Sequence, residues 1–260
     1  MTTSKSVSAD QIRMIADLQD SLGMPLSAYR PEQLWSRVEA FLNLRHLDWA
    51  GLGARLRRDQ LFVRDLQHYL TIHVTSFYRD PSCWRALEQL VRGAPQRPIW
   101  QVWCAGVSTG AEAVSAVGLF QQSGLEVQIL GTDVDGVALE EARAGVYDAS
   151  MCAGMEADVR ERLLAPLADG LHAVRPDVRR RIVYRRLDLL ADPYPDRQFD
   201  LILCRNVLIY FGRQDRLRVI GAIVDHVSRG GLLFLSATEV VLSPEGYGLV
   251  RMGPALYQKI

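Results

Sequence analysis

The chain has 260 residues, 48% of them hydrophobic and 23% charged, and its thirty Lys and Arg balance thirty Asp and Glu. That composition supports a real core in one or two domains and argues against wholesale disorder and against a polyelectrolyte partner such as nucleic acid. No apolar run approaches the roughly 20 residues of a membrane span, and MTTSKSVSADQ has no apolar stretch after its lysine, so neither membrane insertion nor a secretory signal is expected.

The first eighty or so residues read as helices. Ser8 and Gln11 form an S-x-x-Q capping box ahead of Ile12, Ile15 and Leu18, and Gly23 is a candidate stop. Pro31 suits a first helical position, with Leu34, Val38, Phe41 and Leu42 on one face. Asp48 is placed to cap a short helix ending near Arg58, weakened by Gly51 and Gly53, and Phe62, Leu66, Tyr69 and Leu70 mark another. Beyond Pro98, short apolar runs at 99–104, 127–132, 182–187, 201–204 and 232–235 alternate with helical patterns at about 110–122, 137–144 and 214–227. That alternation predicts a parallel sheet covered on both faces. Residues 249–252 and 255–260 flank Gly253-Pro254 and read as a closing hairpin. Residues 151–180 interrupt the pattern with a charged helix (156–164), Gly170, Pro176 and most of a cluster of Arg175, Arg179, Arg180 and Arg181; their length predicts a small inserted subdomain.

Cys83, Cys104, Cys152 and Cys204 lie far apart with no C-x-x-C pair. Neither a metal site nor a disulfide framework follows, and a reducing cytoplasm is the expected setting.

In an open parallel sheet, ligands bind outside the carboxyl ends of the strands. Three segments bring suitable residues there. In WCAGVSTG (103–110), Gly106 and Gly110 let the backbone approach a ligand ahead of a helix N-terminus. G-x-G-x-x-G and G-K-[ST] are both missing, which disfavours dinucleotide and P-loop readings. In GTDVD (131–135), Asp133 directly follows the strand and is placed to accept from ribose hydroxyls, whereas Asp135 reads as a helix cap. In CRNVLIYF (204–211), Arg205 and Asn206 follow a buried strand, which is costly unless both are satisfied or used. Together these describe a nucleoside pocket beside a glycine loop and favour S-adenosylmethionine.

The chain resembles CheR-type chemoreceptor methyltransferases. HVTSFYRDP (73–81), WCAGVSTGAEAVS (103–115), GTDVD (131–135), RRLDLL (185–190), FDLILCRNVLIYF (199–211) and RGGLLFLSATE (229–239) carry the resemblance in the family's order. It implies an α/β fold: a Rossmann-like class I methyltransferase sheet (81–260), an N-terminal all-helical domain (1–80) and a small inserted β subdomain (151–186). It also implies methyl transfer from S-adenosylmethionine to glutamate carboxylates in the cytoplasmic region of a methyl-accepting chemoreceptor. The implied cofactor residues are His73, Thr75, Arg79, Gly106, Glu112, Asp133, Asp188, Leu189, Asn206 and Val207, with Arg79 and Tyr210 at the reacting centre. The alternative is a degenerate methyltransferase-like domain serving as a cofactor-binding or interaction module.

The chain departs from the family pattern at several positions. His73 stands where the family has Asn, Ala111 and Ala113 replace the first acid and the proline of G-E-E-P, and Asp188 replaces an Asn. An ionised Asp only accepts hydrogen bonds, so adenine is expected to lose one donor there. The region 34–47 carries only Arg37 and Arg45, and no glycine-rich loop suited to tethering a receptor peptide is evident.

Overall fold

The computed structural model describes residues 8–22, 26, 31–70, 76–95 and 97–260. By contacts the chain divides into one unit of Met1–His73 with Tyr210–Arg216, and a second of Val74–Ile209 with Leu217–Ile260.

The first unit contains helices α1 (Ala9–Leu22), α2 (Pro31–Leu44), α3 (Trp49–Leu56) and α4 (Gln60–Leu70). The capping box at its start is formed: the Ser8 amide donates to Gln11 Oε1 at 2.7 Å and the Gln11 amide to Ser8 Oγ at 3.3 Å. Two glycines do not prevent α3, because Asp48 caps it by accepting from the Gly51 amide at 2.7 Å, a contact that contributes about 1 kcal/mol. Ile15, Leu18, Leu34, Val38, Phe41, Leu52, Phe62 and Leu66 point inward to one core. Gly23, the expected stop of the first helix, lies outside the described residues.

The second unit opens with α5 (Pro81–Gly93), a helix the sequence reading did not anticipate. Its signals were present: Pro81 in the first turn, and Cys83, Trp84, Leu87 and Val91 at helical spacing, all buried. The chain then builds β1 (Trp100–Ala105), α6 (Ala111–Gln122), β2 (Val127–Asp133), α7 (Gly136–Ala144), β3 (Val146–Asp148), α8 (Ala157–Leu163), β4 (Leu164–Pro166), β5 (Leu171–Val174), α9 (Pro176–Arg179), β6 (Ile182–Arg186), β7 (Phe199–Leu203), α10 (Arg213–Asp225), β8 (Val227–Phe234), β9 (Leu249–Gly253) and β10 (Leu256–Lys259).

The large sheet has the order β6-β2-β1-β7-β8-β10-β9. Its first five strands are parallel, and β10 runs antiparallel between β8 and β9, which makes the expected closing hairpin. The chain steps from β1 to β2 to β6 in one direction and then returns to β7 on the other side of β1. The strand order thus reverses at β1, the class I methyltransferase arrangement, and in such sheets ligands bind beyond the carboxyl ends of the strands at the reversal, here β1 and β7. Register aligns those ends: Ala105 faces Thr132, Asp133 faces Arg186, and Leu203 faces Phe234. Trp100, Val102, Trp103, Leu201, Ile202, Phe234 and nearly all of α6 are buried beneath them. A separate antiparallel sheet, β3-β5-β4, lies within 146–174, and residues 182–186 belong to the large sheet. Among the described residues no helix is long and apolar enough to cross a membrane.

Candidate functional site

The turn after β1 is shaped by its glycines. Gly106 has φ +81°, and a Cβ there would meet Val207 Cγ2 at 2.2 Å, so the loops after β1 and β7 touch through a position that admits only hydrogen. The amides of Gly106 and Val107 both donate to the Thr132 carbonyl, at 2.8 and 2.9 Å. Ser108 then adopts φ 51°, and its amide donates to Asp133 Oδ2 at 2.8 Å. The other Asp133 oxygen accepts from the Asp135 amide at 3.0 Å. Asp133 therefore joins the β1 and β2 turns at the strand ends. Asp135 is the cap that the sequence suggested, accepting from Val137 and Ala138.

Beyond β6, the Leu187 amide donates to the Asp133 carbonyl at 2.9 Å, which draws Asp188 and Leu189 to the same edge. Asp188 is buried, and its Oδ1 accepts from the Leu190 amide at 2.8 Å. It caps its own turn beside the end of β2.

The residues after β7 are held by two groups the sequence reading left without a role. The first is Arg205, which is almost wholly buried. Its Nη2 donates to the Arg79 carbonyl at 2.7 Å and to Asp80 Oδ2 at 2.9 Å, its Nη1 to Glu112 Oε2 at 3.4 Å, and its Nε to the Leu235 carbonyl at 3.3 Å. The guanidinium lies 4.6 Å from the centroid of the Phe234 ring. The expected cost of a cation behind a buried strand is thus met by two carboxyl groups and two carbonyls. The Asp80 carboxylate is one of the two acids that meet Arg205.

The second is Glu239, also buried. Its Oε2 accepts from the amides of Asn206 at 2.8 Å and Ser236 at 3.1 Å, and its Oε1 from Ile209 at 3.3 Å. It fixes the loop in which Asn206 adopts φ 58°, a strained setting of the kind that collects at functional sites. An acid closing the SATE run after a buried strand was the available signal.

Electrostatics follow burial. The Glu112 carboxyl is raised from 4.5 to about 7, chiefly by desolvation, with the Arg205 charge opposing the rise. Burial pushes the Cys104 and Cys204 thiols well up, so neither is a thiolate at neutral pH. All four cysteines are buried and free, and among the described residues no group of three His, Cys, Asp or Glu is placed to hold a metal.

Of the expected site residues, Arg79, Gly106, Glu112, Asp133, Asp188, Leu189, Asn206 and Val207 all belong to the sheet unit, in the segments that these bonds tie together. Tyr210 groups with the helical unit. There it lies near Arg37, whose guanidinium burial holds below its ordinary value while Tyr210 and Tyr69 oppose that shift. His73 and Thr75 lie outside the described residues.

The arrangement fits a nucleoside cofactor. A carboxylate ends β2, a glycine that tolerates no Cβ follows β1, and both stand beside the reversal of strand order. Comparison with known proteins agrees. Residues 73–252 match the family model described as CheR methyltransferase, SAM binding domain. A chemotaxis protein methyltransferase of Listeria innocua is 31% identical over 245 residues, covering 92% of this chain and 92% of that one. Chemotaxis protein methyltransferase 1 of Pseudomonas aeruginosa is 29% identical over 257 residues, covering 92% and 93%. The chain therefore belongs to the CheR methyltransferase family, and it is a methyltransferase whose cofactor is S-adenosylmethionine.

Proposed function

We propose that the protein methylates glutamate side-chain carboxylates in the cytoplasmic region of a chemoreceptor-like protein, giving glutamyl methyl esters that serve chemosensory adaptation. The observation that carries this reading is the joined set of loops at the ends of β1, β2 and β7, in a chain whose relatives are named as chemotaxis methyltransferases. In this reading residues 1–80 form an N-terminal domain and 81–260 the methyltransferase domain; the insertion expected at 151–186 is the β3-β5-β4 sheet, which begins at Val146 and ends before β6, and the protein works in the cytoplasm.

Bound S-adenosylmethionine supplies a methyl carbon made electrophilic by its sulfonium. A glutamate carboxylate is ionised at neutral pH, with an ordinary pKa of about 4.3, so no protein group has to take a proton from it. The chain's residues have to bind, align and exclude water. Asp133 accepts from the ribose hydroxyls, and Asp188 and Leu189 face the adenine. Gly106, Glu112, Asn206 and Val207 shape the remaining pocket, and His73 and Thr75 are further cofactor-binding residues. Arg79 orients the incoming carboxylate or the cofactor, and Tyr210 supports the transfer geometry. Arg79 must guide without pairing so tightly that it quenches the nucleophile.

The test is to incubate the protein with methyl-labelled S-adenosylmethionine and receptors of its own organism, then treat the labelled product with mild alkali. The expected result is label on the receptor that alkali releases as methanol, and a severe loss of label with Arg79→Ala. Alkali-stable label, or cofactor binding without transfer to any receptor, would refute the glutamyl ester reading.

A further inference from the structure

The segment that carries Arg79 is backbone-strained on both sides. Tyr78 has φ 49° and Asp80 φ 60°, so two side-chain-bearing residues around Arg79 occupy the left-handed region that L-residues disfavour. Such a segment persists only where its surroundings fix it. At Tyr78 the amide donates to Ser115 Oγ at 3.0 Å, and that hydroxyl donates to the Ala111 carbonyl at 2.8 Å. Past Asp80 the chain enters α5, with the Cys83 amide on the Asp80 carbonyl at 2.9 Å. Between these anchors, the Arg79 carbonyl and the Asp80 carboxylate are held by one nitrogen of Arg205. The remaining nitrogens of that guanidinium reach Glu112 at the start of α6 and Leu235 beyond β8.

We propose that Arg205 is a positioning residue for methyl transfer: by holding the strained Tyr78–Asp80 turn against the ends of β7 and β8, it sets the place from which Arg79 acts. Its planar five-donor fork suits this task. Lysine would preserve the charge beside Glu112 and Asp80 but offers one nitrogen and cannot reach four acceptors that lie on separate segments. The proposal rests on the reading of Arg79 given above and deepens it.

Arg205→Lys, Arg79→Ala and the double variant are compared with the wild type by methyl-transfer rate and by urea denaturation. Asp80→Asn is added as a second probe: the Asp80 side chain is 40% exposed, so its loss perturbs the core little. Arg205→Lys is expected to fold and to lose about 100-fold in kcat, the scale of a misplaced positioning group, and Asp80→Asn roughly tenfold. In the Arg79→Ala background Arg205→Lys should cause no further loss, whereas damage of a merely structural kind would appear in both backgrounds. Multiplying losses in the double variant, or normal rates in folded Arg205→Lys and Asp80→Asn, would overturn the proposal while the Arg79 reading stands. A normal rate in Arg79→Ala would overturn that reading and the proposal with it.

Discussion

Glu112→Gln removes one titration from the site while keeping an oxygen that Arg205 can meet, and the sign of its effect decides which force governs the buried pair. Burial raises the Glu112 carboxyl from 4.5 to about 7 against the pull of Arg205. The folded protein thus binds this proton more tightly than the unfolded chain, by about 3 kcal/mol at about 1.4 kcal/mol per pH unit. For a raised carboxyl the stabilisation is fully present below about pH 4.5 and is lost as pH rises through about 7. Urea denaturation of both proteins across pH 5 to 8 isolates the group, because every other titration cancels in the difference. The wild type should lose about 2–3 kcal/mol relative to Glu112→Gln over that range. A difference that stays flat, or that favours the wild type as pH rises, would mean that the Arg205 charge outweighs desolvation and that Glu112 is a plain ion-pair partner.

Three further outcomes follow from the same geometry. Gly106→Ala places a methyl group against Val207 Cγ2 at a φ of +81°; about 1–2 kcal/mol of backbone strain and about 1–3 kcal/mol of overpacking are expected in urea denaturation. Adding Val207→Ala should return the overpacking share alone, and an unchanged midpoint for Gly106→Ala would contradict the contact. Asp133→Asn sets an amide N–H₂ against a backbone N–H, since both carboxylate oxygens already accept from amides. It should lower affinity for S-adenosylhomocysteine roughly tenfold or more by calorimetry, and full affinity would remove Asp133 from ribose binding. Asp188→Asn gives adenine a donor that the carboxylate lacks, so affinity should rise by roughly two- to tenfold; equal affinity would take Asp188 out of the contact.

Much of this molecule is written in short stretches of sequence. The capping box at Ser8 and Gln11, the Asp48 and Asp135 caps, and the strand–helix alternation after Pro98 need only a few neighbouring residues to act. The same is true of Asp133, expected directly after a strand and found as the last residue of β2. The α5 helix is equally local, encoded by Pro81 and the helical spacing of Cys83, Trp84, Leu87 and Val91. The CheR motifs likewise sit in continuous segments, so family, cofactor and most candidate residues were legible from them.

What only the tertiary structure decided are the bonds that close between those segments. Arg205 meets Glu112, Asp80 and Arg79 across 93, 125 and 126 residues of chain, and Glu239 reaches Asn206 across 33. The carboxyl of Glu112 departs from its ordinary value because desolvation depends on everything packed around it. Tyr210, adjacent in sequence to the Asn206 loop, groups by contacts with the N-terminal helices. Local pattern fixes where a strand ends and which side chain follows it. Which partner satisfies a buried charge is a property of three-dimensional proximity, and no spacing along one segment encodes it.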